Sequence, residues 1–213
     1  MKKTLIILCL MLTASWSQAT LFRFPTTGSL GLGITDGSPV GVVAQGTVSG
    51  LDPFVTAITV GLNITGGFDG NLYAYLVAPN GTVVTLLNHI GTGTFGSLAS
   101  GLGNGNDGSF LLTSGSGNNL TTGANGTRGT ALTGTFNLAG LSGFQTGTTT
   151  ANGTWTLFFA DTVRGGGTST LNSWTLNITA VPEPVVLALV TFAAMLLALT
   201  ALKWAWRTQK TAS

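Results

Sequence analysis

The chain has 213 residues, of which 44% are hydrophobic and only 7% charged, with 32 glycines, one cysteine and one histidine. That length holds one domain plus targeting segments, with enough apolar residues for a core. The basic surplus lies at the ends, in Lys2, Lys3, Lys203, Arg207 and Lys210, while Thr20 to Ala180 carries three arginines against five aspartates; this excludes a basic patch for nucleic acid, and a lone cysteine excludes a disulfide framework or zinc cluster.

Met1 to Ala19 has the order of a secretory signal: Lys2 and Lys3, an apolar run from Leu5 to Leu12, then Ser17-Gln18-Ala19 as a small-x-small site. Cleavage is expected after Ala19, and Cys9 leaves with the signal. Leu21 to Gly50 is turn-rich, with Asp36-Gly37 and Ser38-Pro39 as breakers and Val40, Val42 and Val43 as an edge-strand candidate. Ile58, Val60, Leu62 and Ile64 then alternate with Thr59, Gly61, Asn63 and Thr65, which predicts a half-buried strand. Leu72, Ala74 and Leu76 predict a second, with Tyr73, Tyr75 and Val77 on its other face. Pro79-Asn80-Gly81 predicts a reversal, from which Val83 to Leu87 returns.

Thr92 to Gly153 is rich in Gly, Asn, Ser and Thr. Long loops with a few short strands are expected there, around apolar islands at Phe110–Leu112, Ala131–Leu132 and Phe136–Leu138. The most informative stretch follows, from Asn152 to Thr179. Trp155, Leu157 and Phe159 share one face of a first strand, and Trp174, Leu176 and Ile178 share one face of a second. Gly165, Gly166 and Gly167 between them supply the backbone freedom for a turn. The pattern predicts a β-hairpin or a nearly adjacent strand pair that anchors the core.

The same residues carry a resemblance. N-G-T-W-T-L at Asn152–Leu157, Asp161, Gly165-Gly166 and S-T-L-x-S-W-x-L-x-I from Ser169 to Ile178 resemble the end of the P domain (P/Homo B) of subtilisin-like proprotein convertases. Leu72 to Leu87, LYAYLVAPNGTVVTLL, is similar to an earlier hairpin of that domain. The resemblance implies an all-β, jelly-roll-like (galactose-binding-like) sandwich over residues 20–180. It also implies calcium on loop carboxylates, with Asp161 matching the family's position and Asp69 lying beside it; Asn71 and Gly166 stand where the family carries aspartates.

The chain closes with Val181-Pro182-Glu183-Pro184, an apolar run over 185–202, and a tail over 203–213 containing Lys203, Trp204, Trp206, Arg207 and Lys210. At 1.5 Å per residue the run reaches about 27 Å, against a hydrocarbon core of ~30 Å. The tryptophans are placed as interfacial anchors and the basic residues as cytoplasmic ones. This three-part tail resembles the bacterial PEP-CTERM sorting signal, which implies processing by an exosortase; a plain single-span anchor is the alternative.

Catalytic chemistry finds little to use. His89 is the one histidine and follows a predicted strand, no G-x-S-x-G elbow is present, and the five aspartates are scattered. Gly103 to Gly108 fits G-x-G-x-x-G but precedes no helical pattern. Six N-x-T triplets, at Asn63, Asn80, Asn119, Asn125, Asn152 and Asn177, are what turn chemistry yields in a chain this rich in Asn and Thr. The expectation is a non-enzymatic exported protein, a membrane-anchored precursor bound for the cell surface or an extracellular polysaccharide matrix. Its alternatives are an accessory P domain serving a separate serine endopeptidase, and a carbohydrate-binding module using Tyr73 and Tyr75.

Overall fold

The computed structural model describes residues 18–89, 108–115, 118–119, 132–145, 151–181 and 184–210. Gln18–Ala180 forms one compact unit, and the C-terminal helix belongs to another. The first unit is the expected all-β sandwich. Its larger sheet contains β1 (Gln18–Phe24), β2 (Leu32–Ile34), β4 (Phe54–Thr65), β7 (Gly108–Thr113), β8 (Asn118–Asn119), β9 (Thr133–Asn137) and β11 (Ser169–Val181). The smaller contains β3 (Ser38–Val48), β5 (Leu72–Val77), β6 (Val83–Asn88) and β10 (Gly153–Asp161). The orders are β1-β11-β4-β7-β9-β8 and β3-β10-β5-β6, with β2 on β11 below the end of β1.

Period-two alternation determines which side chains go inside. In β5 Leu72, Ala74 and Leu76 are buried while Tyr73, Tyr75 and Val77 are half-buried. β4 buries Ile58, Val60, Leu62 and Ile64, and β3 is an edge strand, as its valines suggest. Asn80 builds the β5–β6 reversal: its Oδ1 accepts from the Thr82 N–H at 3.1 Å, and the Gly81 N–H reaches the Ala78 carbonyl at 2.9 Å.

Trp155, Leu157 and Phe159 are buried, as are Trp174, Leu176 and Ile178, but their strands are not a hairpin. β10 lies between β3 and β5 in the smaller sheet; β11 lies between β1 and β4 in the larger. The expected pairing is corrected on a physical ground. Alternation says which face of a strand is apolar, and two such faces can be satisfied by opposing each other across a core as well as by sharing one sheet. Gly165 and Gly167, at φ of 93° and 84°, carry the chain from one sheet to the other. A second departure is β7–β9, which pair in parallel.

The sheets meet in a continuous apolar core. Phe24 of β1 lies 4.5 Å from Trp174, centroid to centroid, and its ring sits over Gly46 of the opposite sheet, where any side chain would collide with it. Phe144, in a 3-10 turn over Ala139–Phe144, meets Trp155 edge-on at 5.1 Å.

The second unit's described part is one helix, α1 (Pro184–Lys210), of 27 residues. It is apolar around its circumference, with Leu189 63% exposed, Phe192 59% and Leu197 71%. Among the described residues, no helix is long and apolar enough to cross a membrane.

Candidate functional site

Three connections converge at one end of the sandwich: the β2–β3 turn with Asp36-Gly37, the β4–β5 connection ending in Asn71, and the β10–β11 loop from Thr162 to Thr168. Both carboxylate oxygens of Asp36 accept from the Gly165 N–H, at 3.0 and 3.1 Å. The Asn71 side-chain amide donates to the carbonyls of Val163 at 3.2 Å and Gly165 at 3.1 Å. The Asn71 carbonyl accepts from the Thr162 N–H at 3.3 Å. Two side chains from distant turns thus clasp one glycine-rich loop.

Asp161, the last residue of β10, is fully buried beneath this clasp. Its Oδ1 accepts from the Val163 N–H at 3.1 Å, closing a local turn, while Oδ2 has no hydrogen-bond partner among the described residues. Burial pushes its pKa up from 3.8 to about 6. The Val163 N–H pulls it down, the Asp36 charge adds to the rise, and the Gly37 N–H opposes it more weakly.

Calcium takes six to eight oxygens, and the resemblance would draw them from this end of the sandwich. Asn71 presents N–H donors, not oxygens, to the two carbonyls that an ion would need. No group of three or more His, Cys, Asp or Glu among the described residues is placed to hold a metal. Asp69 lies in a 3-10 turn, Asp69–Asn71, and its side chain is outside the described residues. Of the two sequence-derived candidates, Asp161 lies beneath the clasp. Asp36 was legible only as a turn residue, since nothing near it in sequence signals a partner 129 residues away.

His89 follows β6 at a positive φ of 49°, with Nε2 3.1 Å from the Thr162 hydroxyl and its N–H on the Leu72 carbonyl. It is a loop residue tied to the clasp. Tyr73 and Tyr75 lie on the outer face of the smaller sheet, edge to face at 6.1 Å. Tyr75 also stacks on Phe158 at 4.8 Å and 18°, so one face of its ring is already covered.

Among the targeting residues, Ala19 is the second residue of β1, opposite Thr179. Cleavage after it would leave Thr20–Phe24 paired to β11. Val181 ends β11, Pro184 opens α1, and Lys203, Trp204, Trp206 and Arg207 lie toward its C-terminus; Trp204 and Trp206 are 71% and 70% exposed. Pro182 and Glu183, the side chain of Lys210, and residues 1–17 are outside the described residues.

No family model matches this chain, and no curated protein does. Among solved structures, the crystal structure of a serine protease of Aeromonas sobria is similar at 16% identity and a TM-score of 0.48, covering 78% of this chain and 28% of that one. The same protease in complex with its chaperone gives 14% identity and 0.45 over 79% and 28%. Dimeric latent PorU from Porphyromonas gingivalis gives 7% and 0.36 over 78% and 13%. The chain thus spans less than a third of the length of each, and similarity this low transfers no activity or partner.

Proposed function

We propose that this chain is an exported, non-enzymatic surface or matrix protein, whose P-domain-like sandwich is carried on a C-terminal membrane segment that an exosortase removes. One observation carries the reading. The apolar side chains of α1, from Leu189 to Leu202, are exposed around the helix, while the sandwich buries most of its own, Trp155 and Trp174 among them, in one core. A helix that is apolar all round belongs in a bilayer or a large core. In the sequence the apolar run extends over 185–202, and Lys203 and Arg207 follow it. Pro182 and Pro184 flank Glu183 in the sequence, and a proline disfavours helix in the residue before it, which suits a processing site.

The proposed order is export on the N-terminal signal, cleavage after Ala19, arrest of the span in the membrane, and release by cutting near Val181–Pro184. The described side chains support a non-enzymatic role: the clasp uses its polar groups to tie loops, and His89 is tied to Thr162. Fractionation of cells with and without an active exosortase tests the reading. We expect membrane-bound precursor without the enzyme and released protein with it, with Glu183→Ala and Pro184→Ala inserting normally but processed slowly. Identical fractionation in both cells would remove the exosortase step, and a precursor absent from membranes would remove the span.

A further inference from the structure

The outer face of the larger sheet carries a shallow cleft of about 300 Å³. It crosses four strands. Arg23 of β1 stands opposite Thr175 of β11, and Gly61 of β4 opposite Leu111 of β7. Beside them lie Ser173, and Asn63 opposite Ser109. Gly61 opens the cleft: a Cβ there would run into the Thr175 hydroxyl and crowd Leu111.

The polar groups around it divide into two sets. Asn63 is committed, donating to Ser109 Oγ at 2.6 Å and accepting from Asn172 at 3.0 Å. The Arg23 guanidinium and the hydroxyls of Ser173 and Thr175 have no hydrogen bond or ion pair among the described residues. Leu111, 43% exposed, supplies an apolar wall.

We propose that this cleft binds a carboxylate-bearing sugar unit of an acidic polysaccharide. A sugar ring has a C–H-rich face and a rim of hydroxyls, and the cleft offers one leucine wall and a rim of unengaged hydroxyls. The guanidinium matches a carboxylate, with which it makes two parallel charge-assisted hydrogen bonds. The size suits a sugar unit better than a protein surface: clefts for small ligands begin near ~300 Å³, whereas a stable protein partner covers about 800 Å² per side. A bare anion would use Arg23 and leave the leucine wall and hydroxyls idle. The proposal rests on the surface or matrix reading above, to which it adds a ligand class and a site.

The test is calorimetric titration of the full-length protein, purified from membranes in detergent, with an alginate hexasaccharide. Cellohexaose serves as the neutral control and sodium acetate as a free carboxylate. Saturable binding of the hexauronate is expected, weakened at least about tenfold by Arg23→Gln, the scale of losing a charge-assisted pair. Thr175→Val, which keeps the side chain's shape, should weaken it by a few-fold, and added salt should weaken it too. Unchanged unfolding midpoints in both variants show that the sheet is intact. No saturable hexauronate binding, equal affinity of the Arg23→Gln protein, equal affinity for cellohexaose, or acetate matching the hexauronate per carboxylate would each overturn the proposal. Tail processing is read separately, so a chain that is released normally yet binds no uronate loses this site alone.

Discussion

The sandwich and the C-terminal helix are both built from large apolar residues, and they treat them in opposite ways. Trp155, Leu157, Trp174 and Leu176 are at most 2% exposed, whereas Leu189, Phe192 and Leu197 are 63%, 59% and 71% exposed. The difference lies in period. The sandwich strands place an apolar residue at every second position and bury one face; the helix has no polar face to give to water. Apolar surface of that extent is stable only against another apolar phase. The sandwich supplies that phase for itself; under the proposed function a bilayer would supply it for the helix.

The comparison can be broken by substitution. Trp155→Ala and Trp174→Ala should each destabilise the sandwich by about 3–5 kcal/mol in denaturant unfolding. Leu197→Ala should leave that transition within about 0.5 kcal/mol. A loss at Leu197 comparable to that at Trp174 would place the helix in the sandwich's own cooperative unit.

A smaller effect comes from Asp161, whose buried carboxyl has its pKa raised from 3.8 to about 6. The folded chain therefore holds that proton more tightly than the unfolded chain. Its stabilising contribution is complete below pH ~4 and is lost as the pH rises through ~6, on the order of 2–3 kcal/mol. Unfolding measured from pH 4 to 8 should show wild type losing stability relative to Asp161→Asn over that window. Parallel curves would remove the shift. Because Asn71 supplies donors to the loop carbonyls, chelator should change the melting temperature by less than about 1 °C; a steep fall abolished by Asp161→Asn would restore a calcium site.

The two tryptophans sharpen the contrast within the core. The Trp155 indole N–H donates to the Ala151 carbonyl at 2.9 Å, while that of Trp174 is buried without a partner among the described residues. Trp155→Phe should therefore cost about 1 kcal/mol more than Trp174→Phe, since only the first leaves a carbonyl unsatisfied. Equal costs would show that the indole N–H contributes nothing at either site.

These particulars also mark what the sequence conveys. Faces of strands were legible, at Leu72, Ala74 and Leu76 as at Trp155 and Trp174, because alternation is a local property of the chain. Partners were not. β10 and β11 adjoin in sequence and lie in different sheets, and β7 pairs in parallel with β9, because pairing is decided by where whole apolar faces are accommodated. The clasp was half legible: Asp161 stood out by resemblance, but Asp36 and the donor role of Asn71 depend on contacts over 129 and 94 residues. The cleft at Arg23 was not legible, since it joins four strands and depends on Gly61 lacking a side chain.

The most direct test of a removable tail is the mass of the mature C-terminus. Intact-mass and C-terminal peptide analysis of protein recovered from cells with an active exosortase should give a chain that starts at Thr20 and ends near Val181–Pro184, with nothing from the helix retained. Recovery of chains ending at Ser213 as the main membrane species in those cells would contradict removal and leave a permanent anchor.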